Sequence, residues 1–409
     1  MTSQAAMLTQ TPGRNVAIAA AAWAAAAAVF VWAHGTNPQL SMFWAFGLAF
    51  GFVLQRGRFC FASAFRDLFL LGHGRNMKGV LLGLAVASIG FGLVMSRQVP
   101  MTTLGIVPPT ANILPTGAHT ALGGVLFGIG MVLAGGCVSG SLYRMGEGYV
   151  ASWVAMAGLM GGLLVSQFTW NWWWATSMSE APRIWLPSYL GHPGAIAGTL
   201  LALGAAFVGV LWMEHRAGMV VPAAREAVVP STGVADDLRA VGRSVFVRGW
   251  PVLITGAALG GLNVLLFTAQ EPWGFTGEVA RWGNMLAGAL GFPPPPMEGA
   301  SELPGCVAVP VDGALVNHMS FQVGGMFLGS FAGAMGAGEF KIRIPKQPIR
   351  YVQSLGGGVL MGYGAGIAMG CTIGAFFSSI PSMAANGWVF ALFLGLGAWI
   401  GTQIISRIS

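Results

Sequence analysis

Charge is what this 409-residue sequence has least of: 8% of its residues are Asp, Glu, Lys or Arg, where a soluble domain carries about 25%. A chain that poor in charge and 55% hydrophobic cannot maintain a water-soluble surface. Soluble enzymes and nucleic-acid binders are therefore excluded, and the net charge of +7 has to be explained by membrane orientation instead. Strict apolar–polar alternation is also missing, which excludes a membrane barrel and leaves helices to satisfy the backbone. The four cysteines form no CxxC pair and the 21 methionines no cluster, which argues against a soft-metal carrier. No unpaired acid stands in mid-span, and His119, His192, His215 and His318 are scattered near span ends or loops. With no general base in place, we expect a transporter rather than an enzyme, with no catalytic residue, cofactor or resident metal.

What is present is a succession of apolar stretches, each long enough to cross a hydrocarbon core about 30 Å thick. They lie near residues 15–34, 41–55, 79–96, 119–136, 149–168, 194–213, 250–268, 316–336, 353–370 and 386–405. The first has the Arg14 and Ala-rich core of a signal sequence but no small-residue cleavage site, and we take it as a helix. With the amino terminus inside, these ten spans put seventeen of the twenty Lys and Arg on the cytoplasmic side, leaving Arg97, Arg183 and Arg281 outside. Both termini are then cytoplasmic. Trp172, Trp173 and Trp174 form an outer aromatic belt, and Pro293 to Pro296 a stiff connection.

The chain also repeats itself. Gly124 to Gly140 and Gly358 to Gly374 agree at nine of seventeen positions without a gap, ending in Gly136-Cys137 and Gly370-Cys371. A fainter match joins the stretch from Gly47 to the stretch from Gly261 and sets Cys60 opposite Gly274. The expected organisation is an extra helix over 1–40, a first repeat over 41–168, a linker with one connecting helix over 169–249, and a second repeat over 250–409. Each repeat has four spans and two short segments. The single connecting helix makes the second unit enter the membrane from the opposite side, so the repeats are inverted, as in transporters with a midplane site.

Gly135-Gly136 before Cys137 and Gly370 before Cys371 are natural places for a membrane helix to break and a short one to begin. The cysteines then sit at helix amino termini, where free N–H groups and the positive dipole end suit an anion, with Ser139 and Thr372 adding hydroxyls. A thiol is a weaker donor than a hydroxyl but more polarisable, so its use points to a substrate with a soft atom such as sulfur. Cys60 opens a similar short stretch between Arg56, Arg58 and Arg66, and these arginines either attract an anion or report orientation. Cys306 has no visible partner. Gly136 and Gly370 are candidate substrate-binding positions, whereas the spacing of Gly124 and Gly128, and of Gly358, Gly362 and Gly366, is read as close helix packing in preference to substrate contact. Asn263, Gln270, Gln322 and Gln353 are candidate donors or interhelical bonds, and Asp67 and Glu147 are expected to balance Arg66 and Arg144.

At these residues the chain resembles the YeeE/YedE membrane family, thiosulfate transporters and their relatives. The resemblance rests on RFCFASAFRD around Cys60, GGCVSGSLYR around Cys137 and MGCTIGAFF around Cys371. It implies an all-α polytopic protein of about ten transmembrane helices with four short internal helices in an hourglass. It further implies a bacterial inner-membrane location and a central path on which Cys60, Cys137 and Cys371 pass thiosulfate by thiol hydrogen bonds. A small cytoplasmic sulfur-carrier protein is the implied acceptor, and none is expected to be fused to a chain ending at Ser409. The extra first helix and longer loops leave room for another sulfur or selenium species, and a covalent persulfide relay is the rival chemistry.

Overall fold

The structure, a computed structural model, describes residues 12–218, 244–303 and 316–408. Arg225, Arg239, Arg243 and Cys306 lie outside the described residues. Among the described residues the secondary structure is helical, with two isolated bridges, Tyr149 to Arg343 and Trp185 to Ala384, and no strand. The long helices are α1 (Pro12–Thr36), α2 (Pro38–Gly57), α4 (Arg75–Gln98), α5 (Ala118–Leu133), α7 (Val150–Phe168), α8 (Pro187–Arg216), α9 (Val252–Ala269), α11 (His318–Gly336), α12 (Ile349–Ile367) and α13 (Ala385–Ile408). Among the shorter segments that punctuate them are α3 (Phe61–Leu71), α6 (Val138–Gly146), α10 (Thr276–Ala289) and a π-helical segment, Thr372–Ser378.

Seven helices are long and apolar enough to span a membrane, and an eighth if α12 and the π-helical segment, bent by 50°, count as one span. The protein is a multi-pass membrane protein. Two further helices in the expected set of ten, α2 and α11, have 20 and 19 residues but are diluted by polar groups such as Gln55, Arg56, His318 and Gln322. Apolar surface faces outward where lipid would lie: Val31 is 70% and Leu201 74% exposed. On α1 only small residues, Ala19, Ala22, Ala26 and Ala33, are buried, and they pack this peripheral helix against its neighbours α2 and α11. α8 is kinked where Gly191 takes a φ of 66° two residues before Pro193.

The interior is made of helix pairs that approach backbone to backbone. α2 packs on α11, α4 on α9, α5 on α13, α7 on α12, and α5 also crosses α12. Glycine makes each approach possible. A Cβ on Gly51 would stand 2.0 Å from the Met326 carbonyl oxygen, and one on Gly256 would stand 1.9 Å from that of Gly79. In lipid there is little hydrophobic drive between helices, so such close van der Waals packing carries the association.

Candidate functional site

All three described cysteines end up in the same local setting, immediately before a short helical segment. Helix α2 closes at Arg58, a left-handed residue with φ 46°, and the chain then runs extended so that Cys60 becomes the N-cap of α3. After α5, Gly135 takes a φ of 75°, which reverses the chain, and Cys137 N-caps α6 with its Sγ accepting from the Gly140 N–H at 3.3 Å. After α12, Met369 takes a φ of 57°, and Cys371 N-caps the π-helical segment, its Sγ accepting from the Ile373 N–H at 3.4 Å. A sulfur that already accepts a backbone N–H leaves its own S–H free to donate.

Cys60 and Cys137 come together. Their Sγ atoms are 3.9 Å apart, 77 residues apart in sequence, and both are buried. Gly140 makes room for them, because a Cβ there would stand 2.4 Å from Cys60 Sγ and 3.3 Å from Cys137 Sγ. Ser139 Oγ lies 3.4 Å from Cys137 Sγ. Cys371 is buried as well, but among the described residues its thiol touches neither of the others. The two breaks are joined by aromatic contacts: Phe61, the neighbour of Cys60, meets Phe376 at 6.2 Å and Phe377 at 5.2 Å between ring centroids, both edge-on.

Around Cys371 the polar atoms are unfilled. Thr276, the first residue of α10, neighbours the thiol. Its Oγ1 and that of Thr372 are buried without a hydrogen-bond partner. Buried hydroxyls of this kind cost about 1–3 kcal/mol each when left unsatisfied. Asn263, by contrast, is fully used: it donates to the Phe377 carbonyl and Ser378 Oγ, both at 3.2 Å, and accepts from the Trp273 N–H at 2.8 Å. It pins the π-helical segment to the chain before α10. Gln270 bonds Gln39 at 3.2 Å and Gln353 accepts from Arg350 at 3.2 Å, while both amide atoms of the buried Gln322 lack partners. Gly136 and Gly370 are tight rather than open: a Cβ on Gly370 would stand 2.8 Å from the Ala375 nitrogen.

One neighbour of the thiols was missed in the sequence. Arg144, seven residues after Cys137 and so on the same face of α6, turns its guanidinium back to the Gly135 carbonyl. It passes beside Gly136, where an added Cβ would lie 3.3 Å from Arg144 Nη1, and lies against the Tyr143 ring with Cζ 5.8 Å from the centroid. The i, i+7 spacing from Cys137 was the available signal. Asp67 pairs with Arg66 at 2.8 Å as expected, but Glu147 does not pair with Arg144 and turns instead toward Gln55. His119 and His192 bond backbone carbonyls, of Pro115 at 3.1 Å and Val99 at 2.8 Å, and stand away from the thiols.

The site therefore offers soft S–H donors, helix-end N–H groups and one fixed cation, an arrangement that can hold an anion with a polarisable atom. Comparison with known proteins points the same way. A model of the sulphur transport family matches residues 56–400. The chain is 31% identical to a protein of Spirochaeta thermophila named thiosulfate transporter TsuA over 372 residues, 88% of this chain and 97% of that one. To the thiosulfate transporter TsuA of Escherichia coli it is 30% identical over 371 residues, 88% of this chain and 92% of the relative. A third relative, the probable transporter YedE of Escherichia coli, is 34% identical over 181 residues, 44% of this chain and 42% of that one.

Proposed function

The chain belongs to the sulphur transport family, and from that membership we propose that it imports thiosulfate through a path lined by Cys371, Cys137 and Cys60. The observation that carries this reading is the buried Cys60–Cys137 thiol pair, 3.9 Å apart, at the ends of two short helices beside Arg144. Thiosulfate enters from outside, meets Cys371 with Ser or Thr hydroxyls and helix-end N–H groups, passes the aromatic contacts to Cys137, and is received by Cys60. Gly136, Ser139, Gly370 and Thr372 shape and line the two ends of this route. The thiols act as neutral S–H donors, since a thiolate would repel the dianion. No imidazole or carboxylate touches them among the described residues, so passage is by hydrogen bonds rather than by a persulfide.

The same reading takes the architecture as an inverted repeat of ten spans in a bacterial inner membrane, both termini cytoplasmic, with four short internal helices narrowing it to an hourglass. Supporting it, the helix contacts exchange partners in the way a two-fold axis requires. Gly358 and Gly362 meet the carbonyls of Ala155 and Leu159, while Gly124 and Gly128, their repeat mates, meet those of Phe390 and Leu394. Gly123 meets Gly364 and Gly130 meets Gly357, each glycine touching the mate of the other. At the fainter match, Gly256 and Gly260 rather than Gly261 do what Gly47 and Gly51 do. A small cytoplasmic sulfur-carrier protein is the proposed acceptor.

The test is uptake of labelled thiosulfate by cells lacking other sulfur import. Cys137→Ala and Cys371→Ala, each at normal membrane abundance, should lower uptake by about 100-fold or more, the cost of roughly 3 kcal/mol for charge-assisted hydrogen bonds lost in the path. Full activity in both variants would overturn the proposal. Growth restored by sulfate but not by thiosulfate would overturn the choice of substrate, and a persulfide on Cys137 during turnover, seen by mass spectrometry, would replace hydrogen bonding by a covalent relay.

A further inference from the structure

The turn between α6 and α7 buries a carboxyl group for which the thiosulfate path has no use. Glu147 is the C-cap of α6 and Cys137 its N-cap, so the two occupy opposite ends of one nine-residue helix. Glu147 is 8% exposed. Its Oε1 accepts from Gln55 Nε2 at 3.1 Å, and the same amide nitrogen donates to Glu339 Oε2 at 2.8 Å. Gln55 Oε1 accepts in turn from Arg56 Nε at 2.7 Å. The cations go to the other acid: Arg56 pairs with Glu339 at 2.6 Å and Arg58 at 3.0 Å.

Glu147 has no ion pair among the described residues. Arg343 donates to its backbone carbonyl at 3.0 Å, not to its carboxylate, and lies over the Tyr149 ring with Cζ 4.5 Å from the centroid. The Lys341 N–H donates to that same carbonyl at 3.3 Å. The charged and titratable groups around Glu147 are thus Arg56 and Arg58 from α2, Arg144 and Tyr143 from α6, Tyr149 from the start of α7, and Glu339, Lys341 and Arg343 from the segment after α11. Burial pushes the Glu147 carboxyl above the ordinary carboxylate range, Glu339 pushes the same way, and the Gln55 hydrogen bond with Arg144 and Arg343 opposes them. The carboxylate also stands at the negative end of the α6 dipole. Gln55 Nε2 has an N–H for each carboxylate, and the two arginines on Glu339 leave Glu147 as the acid whose side chain is met, among the described residues, by an amide alone.

We propose that Glu147 is a proton-binding site that loads with the substrate and discharges into the cytoplasm, so that uptake is proton-coupled. On loading, a hydronium ion entering with thiosulfate gives up a proton: one of its O–H bonds breaks, water is left, and an O–H bond forms on the Glu147 carboxylate; on discharge that bond breaks, the proton passes to cytoplasmic water and the carboxylate is restored. The inference rests on the thiosulfate-import proposal, because an inside-negative potential opposes a dianion and protons moving with it offset that opposition. The position of the carboxyl group suits this coupling, since α6 links it directly to the Cys137 thiol, about 15 Å away along the helix.

Full-length protein in liposomes loaded with a pH-sensitive dye tests it. In the wild type, thiosulfate outside should drive proton influx, and an inward gradient of one pH unit should raise accumulation by up to about tenfold per coupled proton. Glu147→Gln should lose both responses while exchange of labelled for unlabelled thiosulfate stays within about twofold of wild type. Glu147→Asp, which can still titrate, should regain the response to the gradient. Wild-type exchange without proton influx overturns the inference alone, even if the variants fail to fold. A gradient response retained in Glu147→Gln overturns it too, and the absence of wild-type exchange overturns the transport proposal with it.

Discussion

The two chain breaks carry the same cysteine in different company. Cys137 has a second thiol at 3.9 Å, a serine hydroxyl at 3.4 Å and the Arg144 guanidinium folded back across the break. Among the described residues Cys371 has no second thiol in contact; the position matching Arg144 is Ser378, which is occupied in bonding Trp273 and Asn263. What it has instead are the unpartnered hydroxyls of Thr276 and Thr372. One half thus has its two thiols in contact beside the cation, and the other holds in Thr372 a buried hydroxyl without a partner among the described residues. In the proposed import, the Cys371 cluster would serve as the first binding station and the dithiol with its cation as the last.

The comparison is broken most severely by crowding the dithiol. Gly140→Ala places a methyl 2.4 Å from Cys60 Sγ, so the thiols must part. Labelled-thiosulfate uptake should fall by about tenfold or more, corresponding to at least roughly 1.4 kcal/mol in the rate-limiting passage. Wild-type uptake in Gly140→Ala would mean that the thiols need not be adjacent. A smaller effect is expected at the other station. Thr372→Val removes a buried hydroxyl that bonds nothing, so thermal stability should hold while KM for thiosulfate rises about threefold to tenfold with the maximal rate little changed. An unchanged KM would move the outer station away from Thr372.

The smallest effects sharpen the backbone side of the same comparison. Gly135 and Met369 both adopt left-handed geometry, with φ 75° and 57°, but only the first is a glycine. Gly135→Ala, at a position with nothing within 4 Å of the added methyl, should destabilise by about 1 kcal/mol through the backbone alone. Met369→Gly relieves about 1–2 kcal/mol of backbone strain but removes a side chain that is 1% exposed, at about 2–5 kcal/mol, so the melting temperature in detergent should fall. An unchanged melting temperature would show that the strain matters as much as the packing.

Much of the site was legible before the structure. The Gly-Gly-Cys and Gly-Cys sequences announced helix breaks, and both cysteines do stand as N-caps, because the local chain alone decides where a helix can start. Close-packing glycines were likewise visible as GxxxG spacing. The meeting of Cys60 with Cys137 was not, since 77 residues separate them and no pattern along the chain encodes which short helices adjoin. Gly140 read as one more repeated glycine, and its purpose emerged only with two sulfurs beside it. Glu147 was matched with Arg144 by proximity in sequence, yet the fold offered Gln55 and Glu339 and sent Arg144 to a carbonyl.

By itself the sequence determined that this is a helical membrane protein, where its helices break and which residues stand at the breaks. Those outcomes follow from composition and backbone geometry over a few residues, which need no partner. Which breaks share a pocket, which acid is left without a cation and which hydroxyls are left without an acceptor were decided only by tertiary structure. Contacts between distant segments depend on how helices cross, and in a lipid-facing protein that is governed by glycine-mediated backbone packing summed over the whole assembly.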